Sequence, residues 1–107
     1  MQIKDILAPL LKLTIAENRG VEEDYAEIVF LRKDVQLWEK TLKPFLGDPV
    51  KPEGQKPTEN DLQLTEEFGG IWSNQTLFYK DCGDVKLIGM FWPWQDERHV
   101  TFKLVCA

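Results

Sequence analysis

The sequence has few of the residues that specialised sites depend on. Its 107 residues hold two cysteines and one histidine, with no CxxC pair and no metal-ligand spacing. Two separate cysteines do not form a disulfide framework, and a lone histidine does not complete a usual zinc site. We therefore expect no metal and no cofactor, and the sequence alone identifies no catalytic residue.

Positive charge is also scarce. Lysine and arginine number 13 against 18 aspartates and glutamates, which gives a formal net charge of −5, and the lysines are dispersed along the chain. Proteins that bind nucleic acid neutralise phosphates with clustered basic residues. A nucleic-acid partner is therefore not expected.

Long hydrophobic runs are missing as well. No window reaches the roughly 20 apolar residues of a membrane span. The apolar N-terminal segment is interrupted by Asp5, Pro9 and Lys12, and no small-residue cleavage site of the kind that follows a signal peptide comes after it. We expect a cytoplasmic protein without a membrane partner.

The overall composition is typical of one globular domain. With 43% hydrophobic and 29% charged residues, the chain is predicted to form a single α+β domain over residues 1–107. The spacing of its apolar residues predicts an amphipathic helix from Asp5 to Asn18, with Asp5 as the N-cap and Gly20 as the stop.

Residues 22–46 allow two interpretations. The apolar run Ile28-Val29-Phe30-Leu31 favours a buried strand from Tyr25 to Leu31, followed by a helix that Asp34 caps and Gly47 ends. Apolar residues spaced by three and four from Ile28 onward would instead suit one long helix. The strand followed by a helix is the interpretation we favour.

Residues 47–60 are rich in proline, glycine and lysine, and we predict a flexible loop there. Thr58 and Asp61 have the spacing of a capping box, which predicts a short helix from Glu59 to Phe68 that ends at Gly69 and Gly70.

The last third of the chain contains three strand-length apolar runs separated by DCGD and QDER. Short connections of this kind join antiparallel neighbours, so the C-terminal part is predicted to be a three-stranded meander. The expected order is helix, strand, helix, short helix and three strands. The N-terminal helices are expected to pack on the antiparallel sheet.

Alternation along these strands sorts their residues onto two faces. The face expected to form the core under the helices includes Trp72, Phe78, Leu87, Phe91, Val100, Phe102 and Leu104. The opposite face should be polar if it met water, yet it is only partly polar. The apolar and aromatic residues that gather toward its middle strand are Leu77, Tyr79, Ile88, Met90, Trp92 and Trp94.

Three explanations for this second face remain open. A helix of the chain itself could cover it, which would make it ordinary core. It could meet a second copy in a homodimer, or another protein, as large exposed apolar patches often do. It could also form a small-molecule or peptide site.

Polar residues near this face define a candidate site made of Ser73, Gln75, Asp96 and His99. His99 could act as a general base oriented by Asp96 or Glu97. The simpler interpretation is that His99 lies where a hairpin loop enters a strand, beside charged neighbours.

From the sequence we predict a non-catalytic module that forms a homodimer or binds another protein through the apolar and aromatic sheet face. The alternative is a small-molecule-binding domain or minor enzyme with a site around Trp92, Trp94 and His99. The sequence does not decide whether the protein is an enzyme, and we favour a non-enzyme.

Overall fold

The computed structural model describes residues 2–107 and has an α+β fold, with three α-helices and one five-stranded antiparallel sheet. The strand order across the sheet is β1-β2-β5-β4-β3. No helix in the described residues is long and apolar enough to cross a membrane. The elements, in chain order, are α1 (Ile3–Leu10), β1 (Glu17–Val21), β2 (Tyr25–Leu31), α2 (Val35–Leu46), α3 (Glu59–Thr65), β3 (Thr76–Asp81), β4 (Lys86–Pro93) and β5 (His99–Cys106).

The first helix is shorter than predicted, and a strand follows it. Helix α1 ends at Leu10, and residues that were expected to continue it become extended and form β1. Asp5 lies inside the helix and accepts a hydrogen bond from the backbone N–H of Gln2 at 2.9 Å. The prediction of a helix up to Asn18 is wrong, because β1 gains backbone hydrogen bonds by pairing with β2, beginning with Ala16 N–H to the carbonyl of Val29.

Strand β1 forms one edge of the sheet, and it carries features that discourage pairing with another chain. It is only five residues long, it is almost fully exposed, and its register with β2 shifts between Asn18 and Gly20. Two of its residues, Glu17 and Arg19, are charged. Short, charged and bulged edge strands resist edge-to-edge association.

Residues 22–46 form a strand followed by a helix, so the long-helix alternative is excluded. Helix α2 ends at Gly47, whose φ of +75° suits glycine. Trp38 of α2 is fully buried and stacks on Phe30 of β2 with a ring separation of 4.1 Å. Leu46 reaches the sheet at Gly89, where an added Cβ would lie only 3.1 Å from its side chain.

Helices α1 and α2 cover one face of the sheet and form the main core with it. The inward side chains from the three C-terminal strands are those predicted by alternation, with one exception described below. They are Phe78, Leu87, Phe91, Val100, Phe102 and Leu104. Rings from five elements, α2 and the strands β2 to β5, meet edge to face within this core, which fixes how α2 lies on the sheet.

Candidate partner-binding surface

The second face of the sheet is covered over part of its area by the chain itself. A second buried cluster joins Ile71 to side chains of β3, β4 and β5, and Phe68 packs against it. The segment between α2 and β3, which includes α3, therefore covers this region of the sheet. The buried members of the cluster are Ile71, Leu77, Ile88, Met90 and Val105.

This cover buries three residues of the predicted partner surface. Leu77 and Met90 are fully buried, and Ile88 is 4% exposed. These three side chains are interior residues of the chain, and they offer no surface to a partner. Only Tyr79, Trp92 and Trp94 of the predicted set keep partial exposure.

The partly exposed tryptophans on this face are covered by cationic side chains. Lys103 Nζ lies 3.6 Å from the ring centre of Trp92, and the guanidinium of Arg19 lies 5.3 Å from that of Trp94. The indole N–H of Trp94 donates to Thr101 Oγ1 at 2.8 Å. Long basic side chains cover apolar rings in this way while their charged ends stay near water.

The charges on this part of the sheet pair with each other. Arg19 contacts Glu17 at 2.7 Å and Glu27 at 3.2 Å, and the Tyr25 hydroxyl donates to Glu27 at 2.5 Å. The hydrogen bond from Tyr25, helped by Arg19, lowers the pKa of Glu27. Burial and the bond to Glu27 raise the pKa of Tyr25. These polar groups already have partners within the chain.

Asp96 and His99 contact each other and stabilise the loop between β4 and β5. Asp96 Oδ2 lies 2.6 Å from His99 Nδ1, and Asp96 Oδ1 accepts backbone N–H groups of Arg98 and His99. The bond from the Arg98 N–H, together with His99, lowers the pKa of Asp96. The His99 ring also packs against Trp94, with ring centres 4.8 Å apart. Each of these contacts fixes the hairpin loop.

Ser73 and Gln75 lie outside the loop between β4 and β5. They lie in a turn before β3, where the backbone N–H of Trp72 donates to Gln75 Oε1 at 2.8 Å and Gln75 N–H donates back to the Trp72 carbonyl at 3.0 Å. Within the described chain, neither residue forms a hydrogen bond with Asp96 or His99. The four residues of the predicted polar site therefore belong to two hydrogen-bonded groups, and Asn74 of the turn lines one cleft together with Trp94 and Gln95.

A buried lysine holds this turn in place. Lys51 is 1% exposed, and its ammonium donates to the carbonyls of Pro52, Ser73 and Gln75 at 3.2, 3.1 and 2.5 Å. Burial lowers the pKa of Lys51, and the carboxylates of Asp61 and Glu53 act in the opposite direction. The lysine thereby joins the loop after α2 to the turn before β3.

The backbone around Lys51 reinforces the connection. Lys51 and Leu77 form an antiparallel bridge at the edge of β3, and Gly54 N–H donates to the Ser73 carbonyl at 2.7 Å. Farther along, Glu53 forms a bidentate ion pair with Arg32. The flexible loop over residues 47–60 stays a prediction, and within it residues 50–54 contact β3, the turn and the end of β2.

The turn held by Lys51 presents Trp72 to solvent. Trp72 is 68% exposed, the highest fraction among the large hydrophobic side chains that remain exposed. Alternation placed Trp72 on the core face, and this prediction is wrong because β3 begins only at Thr76. The segment GGIWSNQT contained a usable signal, since a tryptophan between helix-ending glycines and turn-forming residues lies outside the regular strand.

Trp72 lies at one end of a shallow apolar groove. The groove runs beside Leu62, which is 48% exposed, and its lining is mainly apolar. An adjoining groove shares Leu62 and continues along α3. The lining of the first groove is Lys56, Pro57, Leu62, Ile71, Trp72, Ser73 and Asn74. We call Trp72, Leu62 and Pro57 the Trp72 patch.

Neither metal ligation nor relatives point to a further role. Within residues 2–107, no group of three or more histidine, cysteine or carboxylate side chains could hold a metal ion. No protein-family model matches the chain, and comparisons with curated proteins and with solved structures also found no match.

Proposed function

We propose that this chain is a protein-binding module whose recognition surface is the Trp72 patch. The observation that carries the proposal is the 68% exposure of Trp72 beside the half-exposed Leu62. Tryptophan is among the residues most enriched at the energetic centres of protein interfaces, because one ring removes a large apolar area from water. An apolar surface left open on a folded chain commonly marks a binding site.

The way in which Trp72 is held supports this function. Its turn is closed by two hydrogen bonds with Gln75 and tied down by Lys51 and Gly54. A turn whose backbone is already held in one conformation loses less conformational entropy when a partner binds. Three residues, Gln75, Lys51 and Gly54, hold the backbone of the turn that carries Trp72.

The test places a photoreactive residue, p-benzoylphenylalanine, in place of Trp72 in cells in which the protein is native. We expect irradiation to cross-link the chain to a different protein, which mass spectrometry then identifies. The same residue in place of Lys80, which is exposed on β3, provides the control. An adduct with the mass of two copies would instead indicate a homodimer, and no adduct beyond the Lys80 control would refute a partner at this patch.

The Asp96–His99 pair supports a second candidate, a small-molecule site beside Trp94. Its 2.6 Å contact fixes the orientation of the imidazole, and a polar cleft nearby is lined by Trp94 and Gln95. A metabolite library screened by thermal shift should then contain a compound that stabilises the wild type and not His99→Ala. If no compound raises the melting temperature of the wild type, this candidate is rejected.

A further inference from the structure

We propose that the partner presents an apolar side chain to the Trp72 patch and flanks it with lysine or arginine. This inference rests on the function proposed above and specifies the chemistry of the partner. The groove that continues from Leu62 along α3 supports this inference. Both grooves share Leu62, so one partner segment that covers Leu62 meets both.

The continuing groove has carboxylates on both sides of Leu62. Glu59 precedes it by three positions and Glu66 follows it by four, and all three residues line the groove. Residues three and four apart lie on the same side of a helix. Glu59 and Glu66 are exposed, and neither forms an ion pair with another residue of the described chain.

These two glutamates differ from the charged group that covers Trp94. On the sheet, Arg19 pairs with Glu17 and Glu27, so charge is balanced inside the chain. Along α3, the negative charge is not balanced in this way. Complementary charge at an interface directs encounter and selects partners, which favours a segment that carries lysine or arginine.

A second copy of the same chain does not fit this surface as well. A two-fold interface uses the same patch on both copies. Burying the Trp72 patch against itself would bring the Glu59 and Glu66 carboxylates of both copies into one interface, and only Lys56 in the two grooves is cationic. Like charges placed together in an interface act against association.

The experiment uses random peptide libraries displayed on phage, selected in parallel on three full-length chains: the wild type, Trp72→Ser, and the double variant Glu59→Lys with Glu66→Lys. All three altered residues are exposed, so the circular dichroism spectra and urea-unfolding midpoints of the variants should match those of the wild type. We expect the wild type to enrich peptides with an apolar anchor flanked by lysine or arginine. The double variant should enrich acidic flanks instead.

One enriched peptide is then synthesised for affinity measurements. Trp72→Ser should weaken its binding by at least about tenfold, the loss expected for a central aromatic residue. Raising the salt concentration from about 50 to about 300 mM should weaken wild-type binding by roughly threefold or more, because exposed charges are screened.

The outcomes separate the two proposals. Enrichment on the wild type and not on Trp72→Ser, but without an excess of lysine or arginine, overturns the basic partner and leaves the protein-binding function standing. Equal enrichment on the wild type and Trp72→Ser, or none on either, overturns both. Acidic flanks selected by the wild type would also overturn the inference.

Discussion

Replacing Lys51 with methionine tests the most unusual interaction in the structure. Methionine keeps most of the apolar stem and removes the ammonium that donates to three carbonyls. Hydrogen bonds to a charged group each contribute about 1.5–3 kcal/mol, while burying the ammonium costs several kcal/mol. We expect the two effects together to leave Lys51→Met less stable by about 2–4 kcal/mol, because the carbonyls lose their donor and the loop loses its tie to the turn.

The assay is urea denaturation followed by circular dichroism, with Lys80→Met as the matched control. Lys80 is exposed on β3, and the same substitution there should change the free energy of unfolding by less than about 0.5 kcal/mol. Hydrogen exchange gives a local readout. The backbone amides of Lys51, Gly54 and Leu77 bond across the connection that Lys51 holds, and they should lose protection in Lys51→Met.

The result that refutes this reasoning is specific. If Lys51→Met is as stable as Lys80→Met and the three amides keep their protection, the ammonium does not hold the turn. The preorganisation of Trp72 would then need another cause. If stability falls but the amides remain protected, the lysine stabilises the fold without fixing the turn, and peptide binding at Trp72 should be unaffected.

Two further substitutions test the second face of the sheet. Gly69→Ala should destabilise the protein by about 1–3 kcal/mol in thermal or urea unfolding, because Gly69 has φ +99° and an added Cβ would lie 3.0 Å from the Trp92 ring. Gly83→Ala, with φ +87° and no atom within 4 Å, should cost less, and equal losses would contradict the contact with Trp92. Tyr25→Phe should lower stability near neutral pH by about 1–2 kcal/mol through the lost bond to Glu27. The hydrogen bond from Tyr25 lowers the pKa of Glu27 in the folded state. The stability that this bond contributes is therefore fully present above pH 4.5, the ordinary pKa of a glutamate, and is lost as the pH falls through the lowered pKa of Glu27. Urea unfolding across this pH range should therefore show the difference shrinking, and a constant difference would refute the coupling.

Much of the fold could be predicted because the relevant signals are local. Alternating apolar residues identified the three C-terminal strands, and glycines with positive φ follow helical segments where the sequence indicated: Gly47 follows α2, and Gly69 follows the 3-10 turn Glu66–Phe68 that comes after α3. The capping box of Thr58 and Asp61 is formed, with the Asp61 N–H donating to Thr58 Oγ1 at 3.1 Å. Each of these features depends on residues that lie within a few positions of one another.

The features that were missed depend on distant residues. Strand β1 has no alternating apolar pattern and exists because β2 offers hydrogen-bonding partners, so propensity could not identify it. Lys51 is buried only because carbonyls 22 and 24 residues away converge on its ammonium. The cover over Met90 likewise comes from the α3 segment, and sequence alternation reports that a face is apolar without reporting what lies on it.

The four tryptophans differ in how far the chain covers them. Trp38 is fully buried against Phe30, Trp92 lies under Lys103, and Trp94 lies under Arg19 with its N–H bonded to Thr101. This chain therefore covers a tryptophan in three different ways, with an aromatic ring, a lysine or an arginine. Trp72 receives none of them, although Lys56 lines the same groove. Among the four tryptophans, Trp72 is the one that the fold leaves open to solvent, on a turn that a buried lysine holds, and this contrast is the reason for proposing it as the centre of a binding surface.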